Sequence, residues 1–425
     1  MIEDVKFIVN GGKQLSGEID VRGSKNAATP ILAATLLTDR TCVIKNLPLI
    51  GDVLIVINIL EELGADIEWI DERSIRIKNN EFDPFDLPRD LVRKIRSSIL
   101  LIGPILARYG KIKLNTPGGC HIGVRPMDAH FDAFKDLGFN VDYDEKEDLY
   151  TVQKGGESLK KITLKEFSVT ATENLLMYGA MNPGLQIEIA ATEPHVVDLG
   201  KFISKLGAEI EGLGTHDIKV NKGIDAGGGD VEHNITSDYI EAGTYIVLAA
   251  ATKSNLRIKN VPVGDLVIPL LKLRESNLIY EIDGKDVIVK GAESELVSPG
   301  KIMTQPHPGF PSDLQAPFGV LATQARGTTK IFDTLYEGRL KYLYELDKMG
   351  AAVEILGPHR AIIKGPKHLH GKNVESLDLR AGATLIIAAL VAEGESTLHG
   401  VEQIDRGYEK IEERLSAIGA DIKRI

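Results

Sequence analysis

The sequence predicts an α/β protein of two inside-out α/β barrel domains, each made of three repeated units with buried helices and outer sheets. Three observations predict this fold. One helix-to-strand pattern occurs six times along the chain. The spacing of the copies nearly repeats after three of them, as expected of a duplicated half. Each repeat also carries one helix that is apolar on all sides, and such a helix must be buried.

Each full copy of the pattern ends a polar helix at a glycine and then begins a strand. Glycine is the usual residue there, because it enters the left-handed region of backbone space without a Cβ penalty. The sixth copy lacks the glycine, and we align Ser276 at its position. The six positions are separated by 74, 69, 69, 74 and 69 residues, which predicts two halves of three units. The five glycines are Gly64, Gly138, Gly207, Gly350 and Gly419.

Two kinds of helix and a set of short strands are predicted in each unit. The amphipathic kind is represented by residues 53–63, although Ile55 and Ile59 widen its apolar stripe. Short alternating strands follow, such as residues 74–78. The helices that are apolar on all sides are predicted at residues 27–37, 97–107, 171–181, 239–251, 314–323 and 381–392.

The length of 425 residues exceeds what one hydrophobic core usually supports and suits two domains of roughly 200 residues. The strand-like segment 7–21 is placed with the C-terminal half, which would otherwise lack a sheet edge. We therefore predict an N-terminal domain at residues 22–230 and a C-terminal domain at residues 1–21 and 231–425. The chain then crosses between the domains twice, near Arg22 and near Val231.

Composition limits the class of function. The chain is 43% hydrophobic and 26% charged with a formal net charge of −11, so non-specific nucleic-acid binding is not expected. With only two cysteines, no disulfide framework is indicated and a reducing compartment is the default. No signal-peptide pattern or membrane-length apolar run is present, which predicts a cytoplasmic protein. Metal-ligand spacings and nucleotide-binding glycine motifs are not found either, so neither a metal nor another cofactor is expected.

The segment 116–126 is the sharpest local feature. Its three glycines and two prolines predict a loop, and this loop contains Cys120. His121 and Arg125 offer positive charge that favours a thiolate or a proton-donating thiol. The other cysteine, Cys42, lies in a strand-like run and is expected to be a core residue.

The starts of the apolar helices carry the residues that usually cap helices, and three of these starts also carry Lys or Arg. The helix dipole disfavours a cation at the N-terminus of a helix, unless an anion lies between the cation and the helix. We therefore predict a site for a highly anionic substrate. Asp313 opens another of these helices and is either a cap or a catalytic base; from the sequence alone the cap is favoured.

Four segments, at residues 22–26, 117–126, 309–316 and 404–409, together resemble the enolpyruvyl transferase family. The resemblance covers essentially the whole chain, and the Gly-Gly-Cys loop with an arginine five residues later is its most specific motif. It implies two inside-out α/β domains. It also implies transfer of the enolpyruvyl group of phosphoenolpyruvate to the 3-hydroxyl of UDP-N-acetylglucosamine, with release of phosphate, as the first committed step of peptidoglycan synthesis.

The resemblance also implies roles for individual residues. Cys120 resembles the general acid that protonates the vinyl carbon, forms a phospholactoyl adduct and is alkylated by fosfomycin. Asp313 resembles the residue that contacts the sugar 3-hydroxyl, and Asp378 matches an acidic position of the family. The implied catalytic residues are Cys120, Asp313, Lys25 and Arg406. The implied contacts of phosphoenolpyruvate are Lys25, Asn26, Arg125 and Arg406. Those of the UDP-sugar are Arg96, Arg125, Pro126, Met127, Asp128, Ala129, Glu166, Phe167, Ser168, Val169, Asp313 and Leu335.

The implied addition and elimination need one group that donates a proton and one that accepts a proton. Cys120 and Asp313 fall in different predicted domains, so we expect them to act together only when a cleft closes. Three alternatives remain open. The shikimate branch of the family shares the fold but not the Gly-Gly-Cys loop, and an assay with each acceptor separates the two. An RNA terminal-phosphate cyclase needs a reactive histidine at a nucleotide site. A non-catalytic paralogue that binds a UDP-sugar would release no phosphate.

Overall fold

The structure is a computed structural model that describes residues 5–119 and 126–425. Helices and strands alternate along the described chain, which confirms the α/β class. The α-helices are α1 Lys25–Ala34, α2 Gly51–Glu62, α3 Arg89–Val92, α4 Ile102–Tyr109, α5 Asp128–Asp136, α6 Val169–Met181, α7 Pro194–Lys205, α8 Tyr239–Ala251, α9 Val267–Glu275, α10 Ser312–Gln324, α11 Tyr342–Lys348, α12 Leu379–Val391, α13 Val401–Asp405 and α14 Ile411–Ala417. Short 3-10 helices lie at Thr35–Leu37, Arg96–Leu101, Val263–Leu266, Gly291–Glu293 and Arg339–Lys341.

The strands are short and lie between the helices in sequence. They are β1 Phe7–Asn10, β2 Ser16–Asp20, β3 Cys42–Lys45, β4 Asp66–Asp71, β5 Ser74–Lys78, β6 Lys111–Asn115, β7 Phe139–Asp144, β8 Leu149–Lys154, β9 Lys161–Thr163, β10 Leu185–Glu188, β11 Glu209–Glu211, β12 Asp217–Lys222, β13 Val231–Asn234, β14 Asn255–Lys259, β15 Tyr280–Asp283, β16 Asp286–Lys290, β17 Lys301–Met303, β18 Gly327–Phe332, β19 Ala352–Gly357, β20 Arg360–Gly365, β21 Asn373–Glu375, β22 Glu395–His399 and β23 Asp421–Arg424.

The described chain divides into two compact units. The first unit contains residues 23–119 and 126–236, and the second contains residues 5–22 and 237–425. The predicted boundary near Val231 is wrong by a few residues, because β13 pairs in parallel with β3 of the first unit, with Val231 opposite Cys42. The chain instead passes from the first unit to the second at Thr236–Ser237, and Arg22 belongs to the second unit.

One sheet topology recurs in both units. In five of the six sheets of the described residues, an edge strand runs parallel to its neighbour and two antiparallel strands follow. The first unit contains the orders β13-β3-β5-β4, β9-β10-β12-β11 and β6-β8-β7. The second contains β2-β14-β16-β15, β17-β18-β20-β19 and β21-β22-β1-β23. Three sheets in each unit confirm the repeat that the glycine spacing predicts.

The strands at the N-terminus complete two sheets of the second unit. β1 lies between β22 and β23, where Phe7 is opposite both Leu398 and Arg424. β2 is the parallel edge partner of β14. Hydrogen bonds to β1 therefore satisfy backbone groups that β22 and β23 would otherwise leave unpaired.

Each unit has its own hydrophobic core, formed largely by its apolar helices. Every residue of α8 is buried, as the prediction for residues 239–251 requires. Close packing explains the small residues there: a Cβ on Gly243 would lie 2.6 Å from a Leu314 side-chain carbon, so α8 approaches α10 through a glycine. Within the described residues, no helix combines the length and apolarity that crossing a membrane requires.

The helix ends of the repeats adopt the conformation that the sequence pattern predicts. Gly64, Gly138, Gly207, Gly350 and Gly419 all have positive φ, between 79° and 113°. In the sixth repeat, however, our alignment at Ser276 is wrong by one residue. The residue with positive φ is Asn277, at 60°, while Ser276 closes the helix with φ −83°. Asn is one of the few other residues that tolerate this conformation, because its short polar side chain can bond locally.

Candidate functional site

The start of α1 holds a lysine in a largely buried ion pair. Lys25 Nζ lies 3.1 Å from Asp52 Oδ2, with 16% and 5% of the two side chains exposed. Ser24 caps the helix by accepting the Ala27 N–H at 3.4 Å. Gly23 is required beside this start, since a Cβ there would lie 1.8 Å from the Asn46 carbonyl oxygen. An ammonium has three donors, so Lys25 can hold Asp52 and still donate to an anion.

Three further element starts lie together in the first unit: the 3-10 helix at Arg96, α5 at Asp128 and α6 at Val169. Arg96 Nη2 donates to the Pro126 carbonyl oxygen at 3.1 Å. This contact joins two of the segments that the resemblance implies for the UDP-sugar.

Two buried side chains, His130 and Asn174, connect the start of α6 to α5 and to the 3-10 helix. His130 Nε2 lies 2.8 Å from Thr170 Oγ1, which links α5 to the first turn of α6. Asn174 of α6 accepts the Gly103 N–H at 2.6 Å and donates to the Ile99 carbonyl at 3.1 Å. The structure therefore brings together Arg96, residues 126–129 and residues 166–169, which are separate in sequence.

The side chains of this cluster differ in exposure. Met127 and Ala129 are buried, so their side chains pack in the core. Asp128 and Glu166 are exposed, and 47% of Phe167 is exposed beside the ring of His216, 4.7 Å away. The other two residues of this segment form the start of α6: Ser168 is its N-cap and Val169 is its first residue. The N–H groups of a helix start suit a phosphate group.

The predicted catalytic Cys120 and the predicted anion-binding Arg125 lie outside the described residues. The segment that leads to them packs on the start of the 3-10 helix. A Cβ on Gly118 would lie 1.8 Å from the Arg93 carbonyl oxygen, and one on Gly119, whose φ is +121°, would lie 3.0 Å from Arg96 Cβ. Both glycines are therefore required by close backbone approach next to Arg96.

In the second unit, Asp313 accepts hydrogen bonds from two arginines. Its Oδ2 is 3.1 Å from Arg380 Nε, and its Oδ1 accepts from Arg339 Nη2. The expectation that Asp313 is a helix cap is wrong. The cap position belongs to Pro311, and the Asp313 carboxylate, one residue inside the helix, is held by the two guanidinium charges instead.

Both arginines are buried, with 7% of Arg339 and 3% of Arg380 exposed. Two more carboxylates complete the network. Arg339 Nη1 is 3.6 Å from Asp378 Oδ1, and Arg380 Nη2 is 3.9 Å from Asp238 Oδ2. Burial opposes the charge of Arg339, but its carboxylate neighbours more than offset this and raise the pKa of Arg339 above its ordinary value.

Arg380 has unused hydrogen-bonding capacity. Its Nη1 and Nη2 are buried and make no hydrogen bond of ordinary geometry with a described residue, although the Tyr408 side chain and the Asp238 carboxylate lie close to the guanidinium. Asp378 caps α12, and Asp238 caps α8. A buried guanidinium with unpaired donors is costly alone, and an anionic ligand would satisfy it.

Two other predicted residues of the second unit are Leu335 and Arg406. Leu335 is 41% exposed, and its N–H donates to Asp333 Oδ1 at 3.0 Å. Asp333 also accepts from Ser312, the neighbour of Asp313, at 2.7 Å. Arg406 follows α13 and donates to Gln403 Oε1 at 3.2 Å.

Sequence reasoning missed several members of these clusters. Arg339 begins a three-residue 3-10 helix that is too short to give a periodic signal, and Asp52 and His130 look like ordinary residues of amphipathic helices. Arg380 is one of the cations at a helix start, but the sequence alone assigns it no role. These residues can be recognised as members of the site only when the fold shows which side chains lie next to one another.

Comparison with known proteins identifies the family. A family model for EPSP synthase (3-phosphoshikimate 1-carboxyvinyltransferase) matches residues 9–415. A protein of Methylacidiphilum infernorum, named UDP-N-acetylglucosamine 1-carboxyvinyltransferase, is 41% identical over 425 residues, covering 99% of both chains. One of the same name from Campylobacter hominis is 38% identical over 421 residues, covering 98% of both.

Solved structures show the same fold. The enolpyruvyl transferase NikO from Streptomyces tendae superposes with a TM-score of 0.88 at 23% identity, covering 99% of both chains. EPSP synthase from Acinetobacter baumannii gives a TM-score of 0.74 at 19% identity, also covering 99% of both chains. The chain therefore belongs to the EPSP synthase family of enolpyruvyl transferases, in the group of relatives named UDP-N-acetylglucosamine 1-carboxyvinyltransferase.

Proposed function

We propose that the chain transfers the enolpyruvyl group of phosphoenolpyruvate to the 3-hydroxyl of UDP-N-acetylglucosamine and releases phosphate, as a step of peptidoglycan synthesis. The observation that carries this proposal is the identity of 38–41%, over nearly the whole chain, to relatives named for that reaction. The cations at several helix starts, among them Lys25, Arg96 and Arg380, support it, because both substrates are anionic.

Phosphoenolpyruvate is assigned to Lys25, Asn26 and Arg406, with Arg125 from outside the described residues. A lysine held by Asp52 at 3.1 Å is restrained in position, so less side-chain freedom is lost when it binds a phosphate. Arginine suits the substrate carboxylate, because its planar fork can donate two parallel hydrogen bonds.

The UDP-sugar is assigned to the cluster that Arg96, residues 126–129 and residues 166–169 form in the first unit. Its diphosphate suits the start of α6, where Ser168 and Val169 present backbone N–H groups. The sugar hydroxyl is assigned to Asp313, and a further nucleotide-sugar contact to Leu335.

In the addition step, Cys120 gives a proton to the vinyl CH₂ carbon of phosphoenolpyruvate, and the sugar 3-oxygen bonds to the neighbouring carbon. The proton of the sugar hydroxyl passes to Asp313. Each carboxylate oxygen has two lone pairs, so Asp313 can keep both arginine contacts and still accept a hydrogen bond from the hydroxyl. In the elimination step, the C–O bond to phosphate breaks, a methyl proton returns to the Cys120 thiolate and the proton on Asp313 leaves with the phosphate, which restores the double bond and both catalytic groups.

The site is expected to act in the cytoplasm, since a chain with two cysteines is typical of a reducing compartment. A second candidate function has one observation in its favour. The matching family model describes transfer to 3-phosphoshikimate, so that acceptor is the alternative substrate.

Phosphate release tests the proposal. Purified protein mixed with both phosphoenolpyruvate and UDP-N-acetylglucosamine should release inorganic phosphate over many turnovers, and neither substrate alone should support this. Binding of the UDP-sugar without any phosphate release would instead identify a non-catalytic UDP-sugar-binding protein and contradict the proposed reaction.

A further inference from the structure

A fully buried carboxylate that the proposed reaction does not use lies at the end of β18. Asp333 follows this strand directly and is 0% exposed. Its backbone is anchored to the residue before β20: its N–H donates to the His359 carbonyl at 2.9 Å, and its own carbonyl oxygen lies 2.7 Å from His359 Nδ1. A buried carboxylate is costly unless its oxygens accept hydrogen bonds, so the contacts of both oxygens of Asp333 are informative.

One oxygen of Asp333 holds the turn that carries Leu335. Oδ1 accepts the N–H groups of Leu335 and Tyr336, each at 3.0 Å. An aspartate that bonds the backbone just ahead of it in this way stabilises a turn. Because 41% of Leu335 is exposed and its side chain is the assigned nucleotide-sugar contact, Oδ1 fixes the backbone from which that contact extends.

The other oxygen of Asp333 is linked to the proposed proton acceptor through a serine. Ser312 Oγ lies 2.7 Å from Asp333 Oδ2, and Arg339 Nε lies 3.3 Å from Ser312 Oγ. Arg339 in turn donates from Nη2 to Asp313 Oδ1. Ser312 and Arg339 are buried, so this series of hydrogen bonds lies inside the second unit.

The chemistry of the groups fixes the direction of each bond in the series. A guanidinium has donors only, so Arg339 Nε donates and Ser312 Oγ accepts. The single proton of the Ser312 hydroxyl is then left for Asp333 Oδ2, which accepts it. The series therefore ends on a carboxylate, and that carboxylate keeps an acceptor lone pair of Ser312 directed at Arg339.

Arg339 is restrained by two further contacts. Its Nη1 lies 3.6 Å from Asp378 Oδ1, and its guanidinium carbon lies 5.3 Å from the centre of the Tyr336 ring. Tyr336 belongs to the turn that Asp333 holds. The placement of Arg339 thus depends on Asp333 twice, through the Ser312 hydroxyl and through the Tyr336 ring, and such supporting contacts are what keep a reacting group in position.

We propose that Asp333 is a positioning residue that aligns the Leu335 turn with the proton acceptor, and that Ser312 and Arg339 link it to Asp313. The inference rests on the proposed function, because that function makes Asp313 the proton acceptor and Leu335 a sugar contact. It deepens the function by giving a role to a fully buried carboxylate outside the residues assigned to either substrate.

Ser312→Ala tests the link to Asp313 alone, because it leaves the bonds from Asp333 to the turn in place. The kcat should fall about tenfold, as expected for loss of a hydrogen bond to a charged group. The Kd for UDP-N-acetylglucosamine, measured by calorimetry, should stay within about threefold, and the KM for phosphoenolpyruvate should not change. Ser312→Thr keeps the hydroxyl and should restore most of the kcat.

Ser416→Ala is the matched control for Ser312→Ala. Ser416 is an exposed serine of α14 in the same unit, and its hydroxyl donates to the Ile422 carbonyl at 3.3 Å. This substitution should leave kcat and Kd unchanged.

Asp333→Ala removes both contributions of the carboxylate. It should lower the kcat at least as much as Ser312→Ala does. It should also raise the Kd for UDP-N-acetylglucosamine about tenfold, because the N–H groups of Leu335 and Tyr336 lose a charged acceptor.

A double-mutant cycle separates positioning of Asp313 from a general structural effect. Because Ser312 acts through Asp313, adding Ser312→Ala to Asp313→Asn should lower the residual kcat less than about twofold. A serine that only stabilises the fold would cost the same factor with Asp or Asn at position 313.

Four results would overturn the inference. They are a folded Ser312→Ala protein with kcat within twofold of the unmodified protein, equal losses of kcat in the two backgrounds, a Ser312→Thr protein as slow as Ser312→Ala, or a folded Asp333→Ala protein with unchanged Kd. If Asp333→Ala does not fold, the Ser312 variants decide alone. An unmodified protein that shows no turnover would instead refute the proposed function and the inference with it.

Discussion

Asp313 is proposed to serve the reaction, and its arginine contacts also stabilise the fold. Its carboxylate bonds Arg339 and Arg380, both buried, and 25% of its own side chain stays exposed. The exposed fraction leaves room for a substrate hydroxyl. The ion pairs hold the carboxylate in one orientation, as an acceptor in a reaction requires.

Asp313→Asn should lower turnover by about a hundredfold or more, because the amide cannot take the hydroxyl proton. It should also lower the free energy of unfolding by about 1–2 kcal/mol, since two buried guanidinium groups lose a negative partner while Asp238 and Asp378 remain. Steady-state kinetics and denaturant unfolding measure the two effects.

Asp132→Asn is the matched control for Asp313→Asn, because that carboxylate pairs with Lys165 at the surface. It should change neither turnover nor stability by a measurable amount. Near-normal turnover of Asp313→Asn would contradict the role of Asp313 as proton acceptor.

The two cysteines should differ sharply in reactivity. Cys42 is fully buried, and burial raises the pKa of its thiol to about 12, so the reactive thiolate is nearly absent. Fosfomycin should therefore modify the native protein at Cys120 and abolish activity, with the adduct located by mass spectrometry of a tryptic digest.

Iodoacetamide in denaturant provides the control, because it should label both cysteines once the core is open. Cys120→Asp retains a proton donor without a thiol, so this variant should keep turnover and resist fosfomycin. An adduct on Cys42 in the native protein would refute the assignment.

At the scale of elements, local chemistry predicted a large part of the fold. Five of the six apolar helices were predicted within about three residues of their observed bounds, because a helix that is apolar on all sides has no place on a surface. The prediction for residues 97–107 was wrong in its first half, where Arg96–Leu101 forms a 3-10 helix and the α-helix begins at Ile102. The misplaced residue was Ser276, since Asn277 adopts the conformation of the missing glycine. A pattern search for glycine cannot detect a residue that adopts the same conformation with a different side chain.

The helix-end glycines give a test of the repeat that separates backbone conformation from crowding. Gly64 has φ +86° and open space where a Cβ would lie, whereas at Gly207, with φ +113°, a Cβ would lie 2.2 Å from Asp225 Oδ2. Gly64→Ala should destabilise by about 1 kcal/mol through backbone strain alone. Gly207→Ala should destabilise more, because the Asp225 loop must also move.

Urea denaturation measures both changes, and Gly264→Ala is the control, since Gly264 has open space and no positive φ. Equal stabilities of Gly64→Ala and Gly264→Ala would show that left-handed helix ends do not constrain these repeats.

At the scale of the whole molecule, sequence spacing predicted the number of repeats but not the polar networks. Asp313 is separated by 26 residues from Arg339 and by 67 from Arg380, so no local pattern could pair them. The same reason hid the contact between His130 and Thr170, 40 residues apart. The chain crossing was also misplaced, because residues 222–230 are rich in glycine and look like a domain boundary, whereas the last strand of the first unit, β13, follows them.

The central claim is that the acceptor of the enolpyruvyl group is UDP-N-acetylglucosamine. It needs a direct test, because EPSP synthases, which are named for a different acceptor, share the fold. The most direct test mixes the protein with ¹³C-labelled phosphoenolpyruvate and equal concentrations of UDP-N-acetylglucosamine and shikimate 3-phosphate, and follows the label by NMR. We predict that the vinyl label appears in an ether at the 3-position of the amino sugar, together with one equivalent of phosphate. Label in the shikimate product, or in free pyruvate alone, would contradict the account.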